Sequence, residues 1–308
     1  MIRKYLLAAS AAALLTASSV TAQQQLIGLG DSIGEGVQSA DASLFTQPSS
    51  YLNLIAGQIG SPFPLPLIIT TPLGLVGDTT LRFRLLPFVR SANLAVSGAD
   101  VNALLREPAD ALSIFDIDTE TDLVLFPRTG SQIEIAESLA ATLVVCWIGN
   151  NDVLGTVLAF DQLDASQLTP IADFSADFTE IAQRLDALGT PIVFANIPDV
   201  TDIGFLIDRQ DMIDFVGQDF GLAEGDFTTI VVMLLIKIGR NDGSLIQNPD
   251  FVLDAAEVDL IQQRTAVFNQ IIADEAAKIG MPVVDVNGIF AFISENPRDI
   301  LGVTITSR

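Results

Sequence analysis

The sequence predicts an α/β fold, a three-layer α/β/α sandwich with one parallel sheet between two helical layers. Two observations carry the prediction. Short apolar runs alternate with helices that bear recognisable caps and stops, and the two clearest runs, 26–29 and 143–148, each end at a glycine (Gly30, Gly149). Strands that alternate with helices pair in parallel through right-handed crossovers, and ligands then gather at the carboxyl ends of the strands. The loops after Gly30, Asn93, Gly149 and Ala195 should therefore share one edge.

In chain order, residues 1–22 read as a signal peptide. Arg3 and Lys4 make a positive start, the apolar stretch 5–15 is too short to cross a bilayer, and Val20-Thr21-Ala22 offers small residues for cleavage before Gln23. The expected location is secreted or periplasmic, with 23–308 as a single domain. No Cys lies near Ala22, which argues against a lipid anchor. After the strand at 26–29, the Pro- and Gly-rich or irregular stretches 61–88 and 108–130 read as surface excursions. Ser131 and Glu134 form a capping box ahead of the strand at 143–148. Ser175 can cap a helix burying Phe178, Ile181, Leu185 and Leu188, stopped by Gly189 and Pro191 before a strand at 192–195. Residues 203–250 read as a helical insertion that could cover the site. Asp254 with Glu257 opens a helix burying Val258, Ile261, Phe268, Ile272 and Ile279, closed by Gly280 and followed by a strand at 283–286.

Composition limits the partners. The formal charge is −23, and removing 1–22 takes away two basic residues and no acid, leaving −25. Such a surface opposes nucleic acids and anionic lipid, whose affinity comes from cations. The apolar run 230–238 is too short for stable membrane insertion and reads as a buried helix or strand. Cys146 is the only cysteine and lies in an apolar run, where it acts as a small buried hydrophobe.

Chemistry first shows at Gly30-Asp31-Ser32, where a serine follows the first strand at a tight turn with Gly34 and Gly36 behind it. Such a turn exposes the hydroxyl and sets backbone N–H groups beside any oxyanion that forms. Alone the tripeptide is a glycine-rich turn whose serine caps a helix. Three further segments follow in order: Asn93-Leu94-Ala95-Val96-Ser97-Gly98 after a strand expected over 88–90, Gly149-Asn150-Asn151-Asp152, and Asn196-Ile197-Pro198-Asp199-Val200. Together the four resemble the ordered sequence blocks of the SGNH/GDSL family of serine ester hydrolases, over residues 26–288.

The resemblance implies a flavodoxin-like sheet and an acyl-serine mechanism on a carboxylic ester without metal or organic cofactor, and the apolar loops near the site favour a lipid or short acyl ester over a sugar O-acetyl. It makes Ser32 the nucleophile. The N–H of Ser32, the N–H of Gly98 and the side-chain amide of Asn151 become the oxyanion hole, with Gly30, Asp31, Gly149 and Asp152 in support. Other patterns fall away. Gly239-Arg240-Asn241-Asp242 lies out of order and reads as a turn. The acidic string 116–122 has Thr121 where a calcium loop needs Gly, and reads as a solvated acidic loop. Gly30-Asp31-Ser32-Ile33-Gly34 fits the α/β-hydrolase elbow, but that elbow follows several strands, not the first.

One departure matters. The family carries Asp-x-x-His near its C-terminus, and this chain has no histidine at all; Asp299 is followed by Ile300-Leu301-Gly302. The expectation is a sequence incomplete at its C-terminal end, inactive as it stands for want of the base. The alternative is a catalytically inactive ester- or carbohydrate-binding module of the same fold.

Overall fold

The computed structural model describes residues 25–38, 41–72, 80–158, 167–296, 298–300 and 303–305. The signal peptide expected over 1–22 lies outside them. Along the chain run β1 (Leu26–Gly30), α1 (Ser32–Glu35), α2 (Tyr51–Ile59), β2 (Ile68–Pro72), β3 (Thr80–Arg84), α3 (Val101–Arg106), α4 (Glu120–Leu125) and α5 (Gln132–Glu137). There follow β4 (Leu143–Trp147), α6 (Asn151–Leu158), α7 (Ile171–Asp186) and β5 (Ile192–Ala195). Next come β6 (Leu206–Ile207), α8 (Arg209–Val216), β7 (Phe227–Thr229), α9 (Ile230–Lys237), β8 (Val252–Leu253) and α10 (Ala255–Lys278). The remaining elements are β9 (Val283–Val284), α11 (Val286–Glu295), β10 (Arg298–Ile300) and β11 (Val303–Ile305).

The central sheet has the order β1-β4-β5-β9, all parallel. On the free side of β1 lies the extended segment 92–96. Gly28 N–H donates to Ala92, and Leu94 and Val96 N–H groups donate to Gly28 and Gly30; the Gly28–Asn93 bridge is parallel. Counting that segment, the strand order is 2-1-3-4-5, the flavodoxin-like order, and its switch point falls between β1 and β4. The strand expected over 88–90 is displaced into the Asn93 block itself. The reason is that β1 takes its backbone partners from 92–96.

Side chains alternate between two cores. Ile27, Leu29, Val144, Cys146, Ile192 and Phe194 point into the larger one, with Leu104, Ile133, Phe178 and Ile181 from α3, α5 and α7, and Phe268 and Ile272 from α10. Leu26 and Val145 point the other way, onto Leu52 and Ala56 of α2. Helices on both faces of a parallel sheet make the three layers. Aromatic rings fill the larger core: Phe174 and Phe268 stack 3.9 Å apart, and Phe178 meets Phe194 tilted at 5.6 Å.

Several local expectations shift. Helix α7 starts a turn before Ser175, at Ile171 after Pro170, because Phe174 as well as Phe178 belongs to its buried face. The capping boxes at Ser131 and Asp254 are present as read. Strand β9 stops at Val284, since Asp285 turns to cap α11 and accepts from Gly288 N–H. The acidic string 116–122 is a solvated loop only at its start, where Asp116 and Asp118 are exposed. Thr119 caps α4, and Asp122 is 1% exposed and accepts from the N–H groups of Asp110 and Ala111. Segment 203–250 contains α8 and α9, but also a small antiparallel sheet β6-β7-β8 that reaches Leu253. It has its own core around Met212, Val232, Met233 and Ile236, while Phe205 and Phe227 pack against the main core. Among the described residues no helix is long and apolar enough to cross a membrane.

Candidate active site

A glycine at the end of each of β1 and β4 permits close packing there. A Cβ on Gly30, at φ +153°, would sit 2.4 Å from the carbonyl oxygen of Trp147 on the adjacent strand. One on Gly149, at φ +113°, would sit 2.9 Å from Ile197 and 3.3 Å from Phe174. Both Gly30 backbone groups are also held by one buried amide: Gly30 N–H donates to Gln132 Oε1 at 3.0 Å, and Gln132 Nε2 donates to the Gly30 carbonyl at 2.9 Å. Strand β1 is thereby pinned on its last residue, immediately before the turn that carries Ser32.

Asp31 caps α1, its carboxylate accepting from Ile33 N–H at 3.0 Å. Ser32 follows as the first residue of that helix and is half-buried. An N–H at such a position has no acceptor inside the helix. Asp31 itself is 1% exposed, and its second oxygen accepts from Asn150 Nδ2 at 2.7 Å. Burial pushes its carboxyl up to about 6, against the pull of the Asn150 and Ile33 bonds.

The Asn93 block is tied to the same turn by two side chains. Asn93, fully buried, donates to the Gly34 carbonyl at 2.8 Å. Glu35, also fully buried, accepts from both Ser97 N–H (2.8 Å) and Ser97 Oγ–H (2.5 Å) through Oε2. Burial, reinforced by the neighbouring Glu120, pushes Glu35 up to about 8. Gly98 then turns the chain at φ +85°. Open space surrounds its Cβ position, so the left-handed backbone, not crowding, favours glycine there.

From the β4 side, Asn151 opens α6 and donates its side-chain amide to the Ala99 carbonyl at 2.8 Å. Its neighbour Asp152 is 2% exposed and accepts from Val101 N–H at 3.1 Å. Burial, then Asp100, raises its carboxyl to about 7. The fourth block lies further along the edge: Asn196 donates to Asp285 at 2.8 Å and accepts from Asn287 N–H.

Hydrogen bonds thus stitch the three segments carrying Ser32, Gly98 and Asn151 together, each through an adjacent or nearby residue. Glu35, Asn150 and Ser97 do this work and Gln132 holds Gly30 in place, and none of the four was given a role from sequence. Glu35 and Asn150 at least sit inside or beside motifs. Gln132 has no local signal, since its partner Gly30 is distant in sequence.

No family model matches the chain, and no curated protein matches it. Two solved structures are similar to it over most of its length. One is an extracellular lipase from Streptomyces rimosus, with TM-score 0.38, 17% identity, and 87% of this chain and 82% of that chain covered. The other is phospholipase A1 from Streptomyces albidoflavus NA297, with TM-score 0.38, 16% identity, and 88% and 82% covered.

Proposed function

We propose that the chain belongs to the serine ester hydrolases of the SGNH/GDSL type and acts outside the cytoplasm on a lipid or short acyl ester. In this reading Ser32 Oγ attacks the ester carbonyl. The developing oxyanion is received by the N–H groups of Ser32 and Gly98 and by the Asn151 amide, the ester C–O bond breaks and the protonated alcohol leaves, and water later releases the acid from Ser32. The observation that supports it is the convergence of these three segments at the switch point of the sheet, where α/β folds bind ligands. Ordinary packing does not demand a buried carboxyl group on each side of Ser32, Asp31 bonded to Asn150 and Glu35 bonded to Ser97.

No histidine is present in the 308 residues. They supply the nucleophile and the oxyanion donors of this reading without its base. Removing the histidine from a serine triad costs on the order of 10⁶ in turnover. Residues 23–308 should therefore hydrolyse p-nitrophenyl butyrate hardly at all. Added free imidazole should raise the rate above its own background by taking the Ser32 proton, and Ser32→Ala should abolish that increment. An increment untouched by Ser32→Ala would refute the assignment. Near-normal turnover without imidazole, lost on Ser32→Ala, would instead show that another group of the chain serves as base.

A further inference from the structure

Acidic residues outnumber basic ones in this protein, 38 to 15. Even so, three neighbouring arginines, Arg84, Arg90 and Arg128, form no ion pair with a carboxylate among the described residues. Arg84 is 4% exposed, and its guanidinium is already engaged with the carbonyls of Leu123, Val124 and Val89. Burial, then the charge of Arg128, lowers it to about 10; burial, then Arg90, lowers Arg128 in turn. Like charges held this close, with no acid between them, are stabilised by an anion.

Arg90 and Arg128 line a cavity of about 310 Å³ with Gln25, Pro62, Pro64 and Ser91. No acidic side chain is among these lining residues, and Arg128 Nε is buried without a hydrogen-bond partner. The wall is fixed: the Pro64 carbonyl accepts from Ala92 N–H at 2.9 Å and from Ser91 Oγ–H at 3.0 Å. Gln25 immediately precedes β1 and Ser91 precedes the 92–96 segment. The cavity therefore opens at the amino edge of the sheet, the end opposite Ser32, and is independent of the ester hydrolase reading.

We propose that this cavity binds the dianionic phosphate of an organic phosphate monoester, held by the guanidiniums of Arg90 and Arg128. Two unpaired guanidiniums match a dianion, whereas a carboxylate neutralises only one of them. Guanidinium forks also fit phosphate oxygens in bidentate fashion. The volume lies in the range of small-molecule sites, well above what one phosphate fills, and Pro62 and Pro64 offer an apolar wall to the organic part.

The test is thermal unfolding of the full chain with glycerol 3-phosphate, with inorganic phosphate and with butyrate, each against chloride at equal ionic strength. Glycerol 3-phosphate at about ten times its Kd should raise Tm by about 3 °C. Inorganic phosphate should act more weakly and butyrate hardly at all. Arg90→Gln, at an exposed position, should weaken binding about tenfold or more, and Arg128→Gln should do the same, each measured as the ligand-induced shift from that variant's own Tm. Flotation with phosphatidylcholine vesicles, with and without phosphatidic acid, separates the sources. Capture that needs phosphatidic acid and is lost in Arg90→Gln assigns a lipid head group, and a response to glycerol 3-phosphate alone assigns a soluble ester. No shift with either phosphate, an equal shift with butyrate, or a shift that survives Arg90→Gln overturns the proposal.

Discussion

Asn150 donates its side-chain amide to the buried carboxylate of Asp31 at 2.7 Å, across the switch point between β1 and β4. This bond joins the residue before Ser32 to the residue before Asn151. It holds a carboxyl group where water does not reach it, so it ties the geometry of the edge to pH.

The sign of that dependence follows from the raised carboxyl. Asp31 binds its proton more tightly in the folded chain (about 6) than in the unfolded one (3.8). Its contribution to stability is complete below the lower value and is lost as pH rises through the upper one. At about 1.4 kcal/mol per unit, the loss is about 3 kcal/mol, most of it between about pH 4 and 6. Urea unfolding across that window should show Asp31→Asn losing less stability than the unaltered protein by roughly that amount. Parallel curves would mean that Asp31 is not held protonated. Carboxyls pulled down, such as Glu137 beside Arg184, act from the lower end of this window downward and with the opposite sign.

Glu35 should extend the same trend to higher pH. Its carboxyl is pushed up from 4.5 to about 8, so the stability it contributes starts to fall above about pH 4.5 and is lost once pH has risen through about 8. Glu35→Gln keeps an acceptor for Ser97 and should flatten the stability profile between about pH 6 and 8. Glu35→Ala leaves the Ser97 N–H without its acceptor and should cost about 2 kcal/mol near pH 6. Equal stabilities for the two variants there would contradict the role of the Ser97 bonds.

Asn151→Ala removes a donor proposed for the oxyanion and the bond to the Ala99 carbonyl. The imidazole-driven, Ser32-dependent hydrolysis of p-nitrophenyl butyrate should fall by about 10²–10³, chiefly in kcat. An unchanged kcat would remove Asn151 from the oxyanion hole while leaving Ser32 in question only through its own variant.

Gly30→Ala tests the close approach of the strand ends. The added methyl meets a backbone carbonyl 2.4 Å away at a φ that L-residues rarely adopt, so neither side can yield cheaply. The variant should lose about 3 kcal/mol or more in urea unfolding. Gly98→Ala, where φ is also positive but the Cβ position is open, should cost about 1 kcal/mol.

The α/β class, the capping boxes at Ser131 and Asp254, the burial of Cys146 and the four blocks along one sheet edge were legible in the chain itself. Each rests on local chemistry: apolar periodicity, a side chain reaching its own helix start, a glycine at a forced turn. Tertiary structure decided what depends on contacts between distant segments. Gln132 bonds Gly30, Glu35 bonds Ser97, and Asp122, whose neighbours read as a solvated string, is buried because the N–H groups of Asp110 and Ala111 come to it. The extended segment beside β1 likewise runs through 92–96 and not 88–90, because β1 offers its free backbone groups there. A polar side chain in a sequence shows what it can bond but not which backbone will be brought to it. Only the closed fold supplies that partner, and with it the burial that shifts Asp31, Glu35 and Asp152.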